Sequence, residues 1–207
     1  MLIESAVAAS GACMLRGMVA PEVCQALLKQ LWSDLCQKDV QTCYPDNDIL
    51  LKPALEIHGD DYIPIAHFHW GVTSAVSEMT GADLLPSFSY FRMYVGGDIC
   101  RIHSDRPASE VSLSVTLAYG DDKPWPFSVA TTPVARPGMM NLSDEFGDEP
   151  FATFIMQPGD AVLYAGSTHR HGRIEPNPNK WSAHLFLQWV TRGGSNQQWA
   201  FERSARR

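Results

Sequence analysis

A chain of 207 residues, 45% apolar and 19% charged, is long enough to bury a substantial core and somewhat short for two domains. A net charge of −7, with no Lys/Arg cluster before Arg203, Arg206 and Arg207, argues against a nucleic-acid partner. No run approaches eighteen apolar residues, so no membrane span is expected.

The five cysteines (Cys13, Cys24, Cys36, Cys43 and Cys100) form no C-x-x-C pair and are odd in number. They read as reduced thiols of a cytoplasmic protein, with Cys100 as buried packing. The start, Met1 to Ser5, lacks the positive charge of a signal peptide.

Residues 11–19 suggest a short first strand. Pro21 and Glu22 then suit the opening of a helix, and Val23, Leu27, Leu31 and Leu35 follow at a spacing of four, an amphipathic stripe. Residues 41–66, with Pro45, Pro53 and Pro64, read as irregular, and a second helix is predicted over about 70–81, ending at Gly81. The period then changes to two. Phe88, Tyr90, Arg92 and Tyr94 alternate with Ser89, Phe91, Met93 and Val95 up to Gly96-Gly97.

From Glu110 to Tyr119 the alternation is clean, with Val111, Leu113, Val115, Leu117 and Tyr119 against Ser112, Ser114, Thr116 and Ala118. This predicts a strand with one buried face. Pro126–Ala130 reads as another strand. Residues 131–150 hold three prolines, two glycines and four acidic residues, the composition of a lid, a binding loop or a disordered stretch. Further strands are predicted at Phe151–Met156, Ala161–Ala165 and Trp181–Val190, with a type II turn at Pro158-Gly159-Asp160. The whole predicts one domain over 1–207: a mainly helical part about 1–83 packed on a β-sandwich or barrel about 84–192.

The chemistry concentrates in Arg101-Ile102-His103-Ser104-Asp105-Arg106. On a strand, His103 and Asp105 share a face and can offer a nitrogen and an oxygen to one point. A third ligand would complete a two-histidine, one-carboxylate facial set for a divalent metal. His169 and His171 both follow the Pro-Gly-Asp turn and one strand, and either could supply it. His67 and His69 stand in a proline-rich segment with no partner signal and read as structural. His184 reads equally as an interior group or an ordinary strand histidine.

Taken together, Tyr94, His103-Ser104-Asp105, a regular strand, Pro158-Gly159-Asp160, and Tyr164-x-Gly166 followed by His171-Gly172-Arg173 resemble the 2-oxoglutarate/iron(II)-dependent dioxygenases. The likeness is to the prolyl-4-hydroxylase-like branch, with His103 to Leu117 and Trp125-Pro126 resembling small microbial members. It covers roughly residues 84–190.

The resemblance implies an α+β, mainly β fold: a double-stranded β-helix (jelly roll) with N-terminal helices packed on one sheet. It implies His103, Asp105 and His171 as ligands of Fe(II), with 2-oxoglutarate and O2 on the open positions. His171 is preferred over His169 for its place after Tyr164-x-Gly166. Two cations compete for the cosubstrate's distal carboxylate. Lys180 stands just before the last strand, where many members place a cation. Arg173 is slightly favoured, because it shares the inward face of His171 and carries a bidentate fork. Tyr94 is expected to bond the cosubstrate.

The implied activity is hydroxylation of an amino-acid side chain or small metabolite, coupled to 2-oxoglutarate decarboxylation. Arg106 and Trp125 are weak candidates for substrate contact. The competing reading is a cupin-like metal protein without oxygenase activity, for which Glu110 would supply the carboxylate.

Overall fold

The computed structural model describes residues 10–45 and 48–202, so Met1 to Ser5 and the terminal arginines lie outside the described residues. Ten strands and two helices follow in the order β1 (Ala12–Leu15), α1 (Pro21–Gln37), β2 (Leu55–His58), α2 (Ile63–Thr80), β3 (Leu84–Val95), β4 (Cys100–His103), β5 (Val111–Tyr119), β6 (Phe127–Ala130), β7 (Phe151–Phe154), β8 (Ala161–Tyr164), β9 (His171–Arg173) and β10 (Trp181–Thr191). A single 3-10 turn, Gln197–Trp199, closes the described chain.

The strands form two antiparallel sheets, ordered β1-β8-β5-β10-β3-β2 and β4-β9-β6-β7. From β3 onward the chain passes repeatedly between them, so β8-β5-β10-β3 and β4-β9-β6-β7 are the two walls of a jelly roll. This is the double-stranded β-helix expected from the sequence. β1 and β2 extend the larger wall at its two edges.

Both helices pack on the outer face of the larger sheet. Leu28 and Leu31 of α1 and Ile65 and Val76 of α2 share one apolar cluster with Phe91, Leu113, Val115, Leu185 and Trp189. Trp32 meets Phe91 edge-on with ring centres 6.1 Å apart. Trp189 donates its indole N–H to the Thr73 hydroxyl at 3.0 Å and packs against the His69 ring at 4.6 Å. His69 is therefore structural, whereas His67 lies exposed on the same helix.

Several local expectations change. The buried stripe of α1 is Cys24, Leu28 and Leu31; Val23 is 45% exposed, because the helix turns its sheet-facing side one residue further round. The stretch read as irregular contains β2 and the first turns of α2, which begins at Ile63 rather than near residue 70. Pro64 opens that helix instead of breaking it, since a proline in the first turn lacks only an N–H that has no intrahelical acceptor. Strand β2 has four residues, too few to show a period; its pairing with β3 defines it. Gly81 ends α2 in the left-handed conformation, φ 67°, as the sequence suggests.

β5 departs from expectation in a way that matters for the site. Leu113, Val115 and Leu117 face the helices, but Ser112, Ser114 and Thr116 on the other face are also fully buried. The smaller sheet covers them, and a polar strand face is thereby turned into the lining of the barrel. Among the described residues, no helix is long and apolar enough to cross a membrane.

Candidate metal centre

β4 and β9 pair antiparallel with His103 directly opposite His171, so the two imidazoles enter the barrel mouth side by side, ring centres 4.5 Å apart. Asp105 stands two residues beyond His103, and its amide donates to the Gly166 carbonyl at 2.9 Å. One carboxylate oxygen lies 3.6 Å from Nε2 of His103, and the other lies 3.6 Å from Nε2 of His171. Ligand atoms of the three residues all fall within 4.8 Å of one another. Metal bonds of about 2 Å hold ligand atoms roughly 3–4 Å apart, so a small inward motion closes the set on one ion.

The tautomers suit the task. Nδ1 of His103 donates to the Arg101 carbonyl at 2.8 Å, and Nδ1 of His171 donates to the His169 carbonyl at 2.9 Å. Each Nε2 is then left with its lone pair aimed at Asp105. His169 contributes this carbonyl, while its ring turns to the Thr168 hydroxyl at 2.9 Å.

Gly166 leaves room for the carboxylate. A Cβ there would lie 2.5 Å from Asp105 Oδ2 and would also strike the Ser112 hydroxyl. The loop 131–150 is strapped along the outside of this region: Ser143 exchanges backbone hydrogen bonds with Ile102 at 2.8 and 2.9 Å, and the Ser104 amide donates to the Met140 carbonyl at 2.8 Å. Phe146 is buried against Ile102 and Ala130.

Deeper in the barrel lies Arg173, two residues after His171 and 1% exposed. Its Nη1 donates to the Trp125 carbonyl, its guanidinium lies 4.8 Å from the Trp125 ring centre and 5.3 Å from that of Phe127, and Nη2 has no hydrogen-bond partner among the described residues. An unanswered guanidinium N–H in such a place is costly and invites an anion. Lys180 does not join this group: its side chain is 84% exposed and its amine lies 3.7 Å from Asp121.

Tyr94 is buried beside Trp125, ring centres 5.0 Å apart, and its hydroxyl accepts from Arg92 at 3.1 Å. Trp125 is wholly buried, with its indole N–H on the Glu175 carbonyl at 2.6 Å, so its ring is wall rather than rim. Arg106 lies outside, ion-paired with Glu202 at 2.6 Å and 4.3 Å above the Phe88 ring. Glu110 is remote from the cluster in its bonding: one oxygen takes the Thr191 amide and the other the Asn196 side chain, both at 2.6 Å.

Three interior groups escaped the sequence reading or were left open by it. His184 is fully buried, with Nδ1 3.3 Å from the Thr116 hydroxyl and Nε2 without a partner among the described residues. Arg92, on β3, packs over the Tyr90 and Tyr94 rings and pairs through Nε and Nη2 with one oxygen of buried Glu56. The available signal was phase: Arg92 alternates in step with Tyr90 and Tyr94, and an arginine at the centre of such a strand is rarely idle. Glu56, on a four-residue strand, carried no signal.

Burial would raise the Asp105 carboxyl, but His171, His103 and Arg92 more than reverse this, holding it below the ordinary carboxylate value. Burial depresses His171 to about 4 and His69 to about 3, and burial together with Arg173 and Arg92 depresses His184 far below the usual 6.5. All three are thus neutral in the native state at pH 6, whereas the unfolded chain binds protons at histidines near 6.5. The unfolded state takes up more protons, so stability falls as pH is lowered through 6.5. Between pH 7 and 5.5 each histidine removes roughly 1 kcal/mol, about 3 kcal/mol in all, from the metal-free protein. The depressed carboxylates Asp34, Asp105 and Asp160 act in the same direction only nearer their unfolded value of 3.8. Urea midpoints of metal-free protein at the two pH values measure the effect, and equal midpoints would contradict it.

Compared by sequence, the chain matches no protein-family model and no curated protein. Its fold is that of the 2-oxoglutarate/Fe(II) oxygenases of known structure. A Pseudomonas putida prolyl-4-hydroxylase superposes with a TM-score of 0.61 at 15% identity, over 93% of this chain and 100% of that one. A Burkholderia pseudomallei oxidoreductase of the 2OG-Fe(II) oxygenase family gives 0.66 at 15% identity, over 94% and 92%. HygX of Streptomyces hygroscopicus, with nickel and 2-oxoglutarate bound, gives 0.67 at 10% identity, over 90% and 85%.

Proposed function

We propose that the chain works as a single-domain Fe(II)/2-oxoglutarate-dependent dioxygenase, a hydroxylase of an amino-acid side chain or a small metabolite. One observation carries this reading: three metal-ligand atoms converge at the barrel mouth, and an unanswered guanidinium waits on the same strand as one of them. In this reading His103, Asp105 and His171 would hold the iron, a two-histidine, one-carboxylate set that could leave room beside it for a 2-oxoacid and O2. Iron and cosubstrate supply the oxidative decarboxylation of 2-oxoglutarate to succinate and carbon dioxide, coupled to oxidation of a substrate C–H bond.

The chain's own residues bind and orient. Arg173, rather than surface-bound Lys180, takes the distal carboxylate of 2-oxoglutarate, and its free Nη2 supplies a charge-assisted hydrogen bond. Tyr94 assists. Its hydroxyl accepts from Arg92 and lies within hydrogen-bonding reach of the Cys100 thiol, and burial raises its pKa so that it keeps its proton. Neutral His184 adds a second ring nitrogen to the same chamber. Trp125 holds Arg173 through its carbonyl and does not reach substrate; Arg106, at the rim, remains the candidate for substrate contact. Among the described residues no disulfide joins the five cysteines, in keeping with a reducing, cytoplasmic setting.

The cupin-like alternative loses its support, because Glu110 spends both oxygens on Thr191 and Asn196. The test is direct. Anaerobic protein given Fe(II) and then 2-oxoglutarate is expected to develop a visible metal-to-ligand charge-transfer band, and admission of air to produce succinate. Tight metal binding with neither band nor succinate would overturn the proposal.

A further inference from the structure

The device that builds the triad occurs a second time. At the triad, a cross-strand pair, His103 and His171, is joined by the residue two positions on from one member, Asp105. On the edge strand β2, Glu56 pairs with Cys43 through reciprocal backbone hydrogen bonds of 2.8 and 2.9 Å, and His58 stands two positions on from Glu56. Directly opposed residues and i, i+2 neighbours point to one face of a sheet. Accordingly the Cys43 sulfur, a Glu56 oxygen and a His58 nitrogen all lie within 4.8 Å of one another, with His58 Nε2 3.8 Å from Glu56 Oε2.

The carboxylate is divided between two tasks. Both Arg92 contacts, through Nε and Nη2, converge on Oε1 of Glu56, so Oε2 is the oxygen turned toward His58. We propose that Cys43, Glu56 and His58 form a second metal site, distinct from the triad, for a zinc-like borderline cation. A thiolate, an imidazole and a carboxylate are the donor set that such an ion prefers, and a sulfur ligand disfavours magnesium and calcium. Three protein ligands leave a fourth tetrahedral position for water. Binding releases the Cys43 proton, and so strengthens as pH rises. Through Glu56 and Arg92 the bound charge sits one ion pair away from the chamber that holds Tyr94 and Asp105.

Cobalt(II) makes the site visible, because a thiolate ligand gives an intense near-ultraviolet charge-transfer band that the all-nitrogen-and-oxygen triad cannot produce. Metal-free, reduced full-length protein titrated anaerobically with Co(II) is expected to show that band at one equivalent beyond the triad. His103→Ala/His171→Ala protein is expected to retain it, so the site stands or falls separately from the oxygenase reading. Cys43→Ser is expected to abolish the band. His58→Ala, a part-exposed position that tolerates truncation, is expected to weaken it by more than the roughly 10- to 100-fold that losing an outer hydrogen-bond partner costs a metal site. No thiolate band at excess Co(II), or a band that survives Cys43→Ser, would show that Glu56 is merely the counterion of Arg92, and would overturn the proposal.

Discussion

Replacing Arg173 with leucine is expected to raise the 2-oxoglutarate concentration needed for half-saturation about a hundredfold, with Fe(II) binding changed less than about threefold. Truncating one partner of a buried, hydrogen-bonded charge pair typically costs about 2–5 kcal/mol, and a hundredfold lies within that range. The guanidinium is 1% exposed, so water cannot replace it, and among the described residues its Nη2 has no acceptor to compensate. Arg173→Lys retains the charge but loses the planar fork and its seat between the Trp125 and Phe127 rings, and is expected to recover only part of the loss. Lys180→Ala is the control. A side chain 84% exposed and answered only by Asp121 should alter the constant by less than about twofold, since such surface pairs are worth about 0–1 kcal/mol. Cosubstrate titration of the charge-transfer band measures all three variants. A large defect in Lys180→Ala with a small one in Arg173→Leu would reverse the assignment.

Gly166→Ala is expected to damage metal binding more than folding. The added methyl would sit 2.5 Å from Asp105 Oδ2 and 3.2 Å from the Ser109 carbonyl, and would press on the Ser112 hydroxyl. That hydroxyl is itself held by Gln188 at 2.5 Å in the buried barrel wall, so it yields poorly. The Asp105 carboxylate, 21% exposed, is the softer neighbour and moves away from the two imidazoles. Overpacking of this kind costs about 1–3 kcal/mol of stability. Loss of ligand geometry should weaken Co(II) or Fe(II) binding by at least about tenfold, approaching the abolition expected for Asp105→Ala. Metal titration set beside urea unfolding separates the two effects. Wild-type affinity in a normally folded Gly166→Ala protein would show that the carboxylate has more freedom than its packing suggests.

Much of this was legible in the sequence, for local reasons. His171 and Arg173 share a face because a strand repeats every two residues, whereas Asp105 lies two residues past the end of β4 and is set beside His103 by its amide bond to Gly166 rather than by strand period. Pro21 and Gly81 mark helix ends because a missing N–H and a left-handed φ are affordable only there. Pairing was not legible. β2 was hidden in a proline-rich stretch, and with it Glu56, which matters only because β2 lies beside β3 and sets its carboxylate against Arg92. Nor could alternation show that Ser112, Ser114 and Thr116 are buried, since a polar face reads as solvent-facing until a second sheet is laid over it.

By itself, then, the sequence determined a helical front packed on a β-sandwich or barrel and the residue types that make the candidate site, which follow from short-range period and turn chemistry, while the jelly-roll class came from the resemblance those motifs carry. Only the tertiary structure decided that His171 stands opposite His103, that Arg173 is buried and unanswered while Lys180 lies in solvent, and that Cys43, Glu56 and His58 meet on one edge. Those outcomes depend on strand register and on which sheet covers which face, contacts between residues far apart in the chain that no local pattern encodes.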